Sequence, residues 1–545
     1  MSLMGNLYIG ASGLQTGQNA LNTTAHNMSN IDTVGYTRQQ VQLGTRFYNT
    51  ISTSGSAVSY QQLGLGVNYS QVKQVRDYFL DKTYRRESGR SAFYDASTDA
   101  IEEVEKLFQE LEGQTFEKAI QNLWTSVQEL SKDPANTVNQ GVFVQRCSEF
   151  LTRSQAVYTG LCDYQDNLNY KIKQEVDKMN SYGQRIMELN QEILKIESAK
   201  VEKANDLRDE RNELIDELSK TAYINCKTDV DGNILIQLEG NDFVKADSVN
   251  EISMKLDELT GFYTPYWDQL AKKTTNANGT VTVDTAGAEL YDMTQTISTD
   301  IDTDIGALKS MLFARGDHRA THTDLNDADN YDTNISQSII MNIQAEFDRL
   351  VNGVTTGINK ILSDAADTSS GYLCDKTKPI TDPATGAITY PPYQIFNTST
   401  DSTNVNDFTV RNILINSTLK QAPSLLGFKK ADDIVDQDTV DKFKELFMKE
   451  DYTLNPNVKT KTNFLNYYNN LVSQVANTGS VLRGISENQQ LTADNTAAAR
   501  EQILGVSSDE EMSNMIMFQN AYNASSRYIN VISELLEHII STLGR

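Results

Sequence analysis

MSNMIMFQNAYNASSRYINVISELLEHIISTLGR, residues 512–545, places Met515, Phe518, Tyr522, Ser525, Ile529, Ile532, Leu536, Ile539 and Leu543 alternately three and four residues apart. This is an a/d heptad series that persists to the last residues given. Gln519 lies beside it. At the other end Leu7, Ala11, Leu14, Gln18, Leu21, Ala25 and Met28 alternate four and three apart. Both ends therefore carry a helical apolar seam, and a single helix cannot bury its own stripe. Each seam must pack on the other end of the chain, on neighbouring copies, or on both. Residues 1–30 are predicted as one helix, weakened by Gly5, Gly10, Gly13 and Gly17 but small enough to approach a partner closely. The expectation is that it gains order on assembly.

Between the ends the pattern changes several times. Residues 36–96 show little helical period: Ile51–Ser59 is Ser/Gly-rich and Gly64-Leu65-Gly66 signals a turn, so an extended connector with one hairpin is expected. Helices are predicted over 97–220. Ser97 or Thr98 can cap a helix carrying Ile101, Val104, Leu107, Phe108 and Leu111, with Gly113 as its stop. Thr115 can cap Phe116 to Leu130, and Asp133-Pro134 ends that helix. From Leu168 to Leu218 the period is regular enough to suggest one rod about 75 Å long.

Around Asp231-Gly232 the chain alternates like a hairpin, between Tyr223–Lys227 and Ile234–Leu238. Thr274–Ala286, with Thr280-Val281-Thr282-Val283, reads as strand and loop. Helical pattern returns at 305–313, 335–362, 441–449 and 461–499, separated by a Ser/Thr/Asn/Asp-rich stretch at 366–425. The predicted fold is mainly α with β-rich insertions: terminal helices forming a coiled coil, a long antiparallel helical body, and outward strand-rich inserted domains. The expected division is 1–36 and 506–545 as a terminal coiled-coil assembly domain; 37–222, 301–365 and 445–505 as the helical body; 223–300 as a strand-rich insertion; and 366–444 as a strand- and loop-rich one.

Composition narrows the function. The net charge of −25 comes without a basic cluster, which argues against nucleic acid and anionic membrane as partners. No Lys or Arg precedes Arg38, so a cleaved secretory signal is not expected. Cys147, Cys162, Cys226 and Cys374 fit no metal-ligand spacing and read as free thiols. His318 and His322 stand four apart near Asp317 and Asp324, but in a Thr/Asn/Asp-rich stretch that reads as a solvated loop. Asp229-Val230-Asp231-Gly232 lacks the Glu of a calcium loop and reads as a turn. No catalytic residue, metal ligand or cofactor-binding residue is assigned, and the chain is not expected to be an enzyme.

Ala25-His26-Asn27-Met28-Ser29-Asn30-Ile31-Asp32-Thr33-Val34-Gly35-Tyr36 resembles the signature of the bacterial flagellar rod, hook and hook-associated proteins. In that motif a helix ends, Asn30 and Asp32 bond backbone groups, and Gly35 takes a turn that a Cβ would strain. The continuation Tyr36-Thr37-Arg38-Gln39 is similar to the hook-associated branch. Arg76-Asp77-Tyr78-Phe79-Leu80-Asp81, Asn205–Leu214, Val506–Met512 and Phe518–Arg527 agree with it. His26 departs from the usual small polar residue and reads as a tolerated surface change.

What the resemblance implies is a structural subunit of the flagellum, polymerising as the junction between hook and filament after passage through the flagellar type III export channel. It would be cytoplasmic before export and extracellular afterwards. Its partners would be its own copies in a helical ring, the hook protein, hook-associated protein 3, and a cytoplasmic export chaperone on the C-terminal helix. The alternatives are another axial subunit (hook or distal rod protein) or a secreted enzyme with coiled-coil ends. The assembly residues on this reading are Leu7, Leu14, Leu21, Asn27, Met28, Asn30, Gly35 and Tyr36 at one end. At the other they are Met515, Phe518, Gln519, Tyr522, Ile529, Ile532, Leu536 and Ile539, where the chaperone would also bind.

Overall fold

A computed structural model describes residues 3–46, 48–53, 60–109, 115–199, 202–275, 281–382, 386–400, 402–430 and 434–543. Leu111, Gly113, Thr280 and most of the Ser/Gly-rich 51–59 stretch lie outside them, as does the side chain of Leu543.

The chain opens with α1 (Leu3–Ser29), then β1 (Gln39–Thr45), β2 (Tyr48–Thr53), β3 (Tyr60–Gly64) and β4 (Val67–Gln74). The helices α2 (Tyr78–Gln109), α3 (Phe116–Lys132), α4 (Thr137–Glu197) and α5 (Asn205–Thr221) follow. Strands β5 (Ile224–Thr228), β6 (Ile234–Leu238), β7 (Asn241–Val244), β8 (Ile252–Leu256), β9 (Tyr263–Trp267), β10 (Lys272–Thr275) and β11 (Val281–Asp284) come next. After α6 (Ala307–Arg315), a single turn α7 (Ala328–Asn330) runs into a π-turn at Tyr331–Ile335, then α8 (Ile339–Ala365). The short pairs β12 (Ile380–Thr381) with β13 (Ile388–Thr389) and β14 (Phe396–Thr398) with β15 (Ile413–Ile415) precede α9 (Ser417–Gln421) and α10 (Gln437–Met448). The chain closes with α11 (Phe464–Leu504) and α12 (Ser508–Leu543).

Two compact units form. One comprises Met1–Ser91, Lys178–Glu251 and Gln489–Arg545, the other Ala92–Asp177 and Ile252–Asn488. A boundary between the two falls between β7 and β8.

The second unit holds the larger core. Helix α8 is buried on nearly every side, with Phe347, Leu350, Val351, Val354 and Ile358 all within it, as an apolar helix inside a bundle must be. Around it α3 presents Phe116, Ile120, Leu123, Val127 and Leu130, and its Thr115 side chain accepts from Lys118 N as the sequence suggested. Rings from α3, α4, α8 and α11 interlock: Phe116 stands 4.9 Å from Phe347, 5.5 Å from Phe150 and 4.8 Å from Tyr468.

Two helical expectations need correction. Residues 78–96 are not connector but the first half of α2, capped by Asp77, whose carboxylate accepts from Phe79 N and Leu80 N. An apolar period is missing there because polar side chains are the buried ones: Asp81, Arg85, Glu87 and Arg90 all lie inside and are paired. Nor is 168–218 a single rod. Helix α4 ends at Glu197, whose carboxylate accepts from Arg208 Nε and Nη2, Lys203 Nζ and Ala204 N, and α5 returns antiparallel. The same four donors hold the Glu197 carboxyl near 2 against the upward push of burial. The Asp231-Gly232 hairpin is as expected: Gly232 has φ +88°, and Asp229 Oδ1 accepts from Asp231 N and Asn233 N.

Candidate assembly site

Helices α1 and α12 pair antiparallel within the first unit. A Cβ on Gly10 would stand 2.6 Å from Ile529 Cγ1, one on Gly13 2.5 Å from Ser525 Oγ, and one on Gly17 3.4 Å from Tyr522 N. The glycines, which weaken α1 by propensity, are what let it approach this closely. So α1 approaches α12 through Gly10, Gly13 and Gly17, with Ala20 and Thr24 buried further along the helix, while Leu7, Leu14, Leu21 and Met28 of the expected seam are half-buried. Ala11, Gln18 and Ala25 of that seam are exposed. On α12 the glycines of α1 face Tyr522, Ser525 and Ile529. Ile532 is buried and Met515, Phe518, Tyr522, Ser525, Ile529 and Leu536 are half-buried, while Gln519 and Ile539 are exposed.

Helix α12 also carries a second register that sequence reading passed over. Met517, Ala521, Ala524, Tyr528, Val531 and Leu535 stand alternately four and three apart, and all six are exposed in the single chain, with Tyr528 at the border where its ring also meets Gly10 of α1. Val531 and Leu535 keep 52% and 47% of their surface. The signal was present as a second heptad series one third of a turn away, hidden behind the stronger first one. Helix α12 is thus apolar over a face wider than α1 covers.

The turn after α1 is held by side chains of the motif. Asn27 is buried; its Oδ1 accepts from Tyr36 Oη at 2.7 Å and from Gln39 N at 3.0 Å, and its Nδ2 donates to Gln39 O at 2.8 Å. Asn30 Nδ2 donates to His26 O, closing the last turn of the helix, and Gly35 takes φ +78° against Glu213. Burial, with Asp206, Asp209 and Glu511 nearby, pushes the Tyr36 hydroxyl well above its usual range, so it stays a donor. His26 is more than a surface substitution: its ring meets Tyr36 edge-on at 5.5 Å and Nε2 lies 3.4 Å from Asp206.

The resembling stretches, far apart in sequence, converge here. Thr37 N donates to Asp209 Oδ2, and Gln74 Nε2 to Asp209 Oδ1. Arg76 Nε and Nη2 each donate to Asp81 at 3.0 Å. Arg500 of α11, which sequence reading did not single out, lies between two carboxylates: Nε is 2.8 Å from Asp81 and Nη2 donates to Asp216 at 2.6 Å. Arg85 Nε donates to Asp216 at 2.7 Å. Burial raises the Asp81 carboxyl, but Arg76, Arg500 and Arg85 outweigh it and hold it below its ordinary value. Arg38 N donates to Leu504 O, and Arg38 Nη1 reaches Glu510 at 2.5 Å.

The histidine pair, in the second unit, is not a solvated loop. His318 lies between Asp317 and Asp324, which raise it to about 10, so it is a cation at neutral pH. His322 is buried, its Nδ1 2.7 Å from Asp348 Oδ2. The two rings serve separate carboxylates, and among the described residues no group of three or more His, Cys, Asp or Glu side chains could hold a metal ion. All four cysteines are free, and burial pushes the Cys162 thiol up to about 11. Among the described residues no helix is long and apolar enough to cross a membrane.

Comparison with known proteins covers the same regions. Residues 101–372 match the family described as flagellar hook-associated protein FlgK helical domain, 502–542 the flagellar basal body rod FlgEFG protein C-terminal family, and 7–37 the flagella basal body rod protein family. The flagellar hook-associated protein 1 of Bacillus subtilis is 25% identical over 97% of this chain and 96% of its own length. Those of Salmonella typhimurium and Escherichia coli are each 22% identical, over 97% of this chain and 98% of theirs. The solved structure of the flagellar hook junction protein FlgK from Burkholderia pseudomallei superposes with a TM-score of 0.51 at 13% identity, over 79% of this chain and 100% of that one. That likeness speaks to the fold. Since both ends, the helical domain and nearly the whole length match one group of relatives, the chain belongs to the flagellar hook-associated protein 1 family.

Proposed function

We propose that the chain is a non-enzymatic subunit that polymerises between hook and filament, with 1–36 and 506–545 as its assembly domain. The observation that carries this is the second apolar register of α12, Met517 to Leu535, exposed beside the one that α1 covers. An exposed apolar stripe of heptad spacing on a long helix is a coiled-coil face awaiting another helix. The occupant on this reading is a terminal helix of a neighbouring copy, so each α12 is shared between its own α1 and the next subunit. Leu7, Leu14, Leu21 and Met28, half-buried on the flank of α1, supply the matching edge.

The family's position on the flagellum makes the hook protein and hook-associated protein 3 the axial neighbours. A cytoplasmic chaperone that covers the same stripe of α12 before export keeps it from premature association. After export the subunit is extracellular.

Deletion of residues 506–545 tests the reading. The expected product retains the helical circular dichroism of the second unit, is soluble, and fails to join hooks. A truncated chain that incorporates and supports filament growth overturns it.

A further inference from the structure

Two chain segments connect the α1–α12 pair to the remainder of the first unit: Asn30–Arg38 leaving α1, and the end of α11 entering α12. One run of buried charges touches both. Arg76 donates through Nη1 to Thr37 Oγ1 on the first segment and through Nε and Nη2 to Asp81. Asp81 then meets Arg500 on the second segment, one turn before α11 ends; Arg500 meets Asp216, and Asp216 meets Arg85. With Asp209, 3.8 Å from Arg76 Nη1, three guanidinium groups face three carboxylates, each side chain 15% exposed or less. The Arg500 guanidinium also stands 4.6 Å over the Tyr84 ring.

Within this run Arg500 differs from its neighbours. Asp81 keeps two hydrogen bonds from Arg76 without it, and Asp216 keeps Arg85. Removing Arg500 therefore strands no buried carboxylate, the usual reason that breaking a buried pair unfolds a protein. What it alone supplies is one planar guanidinium reaching α2 and α5 at once, hydrogen-bonded to Asp216 through Nη2 and at ion-pair distance from Asp81 through Nε, a span that a lysine point charge cannot reproduce. We infer that Arg500 is a positioning residue for assembly: its bridge from Asp81 to Asp216 sets the seat of the terminal helix pair, so that the exposed face of α12 is presented in one direction. This rests on the assembly reading above.

The test uses the full-length chain with spin labels on Lys82 of α2 and Asn520 of α12, both exposed. The label distance is read on the free chain, independent of polymerisation, so it can fail while the assembly reading stands. In Arg500→Met the distance distribution is expected to broaden, thermal midpoint and far-UV circular dichroism to hold, and incorporation at hooks to be lost. Arg500→Lys is expected to recover incorporation only in part. An unchanged distribution, a collapse of the melting midpoint with loss of helix, or normal incorporation despite a broadened distribution would each overturn the inference.

Discussion

Gly13 and Ser525 face each other across the terminal helix pair so closely that a methyl group on Gly13 would stand 2.5 Å from the Ser525 hydroxyl oxygen. The same closeness recurs at Gly10 with Ile529 and Gly17 with Tyr522. Three glycines in two turns of α1 thus form a groove for α12, and backbone proximity replaces interdigitated leucines.

A large side chain in that groove should part the helices. Gly13→Leu is expected to destabilise the pair by roughly 1–3 kcal/mol, the usual range for overpacking. Hydrogen exchange checks it: amides of α1 and α12 should lose protection while those of α8 do not change. Equal protection in both proteins would mean that the pair does not depend on the close approach.

The second face of α12 predicts the opposite pattern. Val531→Glu with Leu535→Glu alters exposed positions, so the unfolding midpoint of the free chain should stay within about 0.5 kcal/mol of the parent, as surface changes usually do. Incorporation into the flagellum should be lost, because a neighbouring helix would have to bury two carboxylates.

Asn27 is the densest node of the turn, with three hydrogen bonds to Tyr36 and Gln39. Asn27→Ala leaves Gln39 N, Gln39 O and the Tyr36 hydroxyl without that partner. The expected loss is about 2 kcal/mol, from half-buried polar groups left without a partner, and a urea titration of the full chain reads it.

Glu346 yields a pH prediction. Its carboxyl is fully buried in the second unit, accepts from Asn455 Nδ2 and Gln474 Nε2, and is raised by burial to about 7. The folded form therefore holds a proton more tightly than the unfolded form, whose ordinary value is 4.5. By linkage this group's contribution falls as pH rises from 4.5 to about 7, then levels off. Glu346→Gln removes the titration; it should be more stable than the parent at pH 8, by up to about 3 kcal/mol, with the difference gone near pH 4. Thermal midpoints at those two pH values decide it.

His318 also loses its contribution as pH rises, over a higher range. Raised from 6.5 to about 10 by Asp317 and Asp324, it adds stability that is complete below 6.5 and lost as pH climbs through about 10. His318→Gln should lower the midpoint at pH 7 by on the order of 1 kcal/mol, since solvent screens a partly exposed pair, and should have little effect above pH 10. A chelator should move neither protein, because this imidazolium has no lone pair for a metal.

Much of the helical frame could be read from residue order alone, because helix formation is driven by periodic burial over a few turns. The seam Met515–Leu536, the cap at Thr115 and the turn at Asp231-Gly232 depend on neighbours within about seven residues, and the structure shows all three. The start of α2 escaped notice because Asp81, Arg85 and Arg90 are buried by pairing rather than by being apolar. The break after Glu197 escaped notice because its cause, Arg208, lies eleven residues downstream in the next helix. Neither has a signature in hydropathy.

Residue order alone established that both ends are amphipathic helices, that Asn27 to Tyr36 is a turn of one flagellar kind, and that the bulk of the chain is helical. Which face of α1 meets α12, that a second stripe on α12 stays uncovered, and that Arg500 joins Asp81 to Asp216 emerged only from the folded arrangement. The physical reason is range: a helix encodes its own stripe locally, whereas glycine grooves and shared guanidinium bridges exist only once segments hundreds of residues apart lie within a few ångströms of each other.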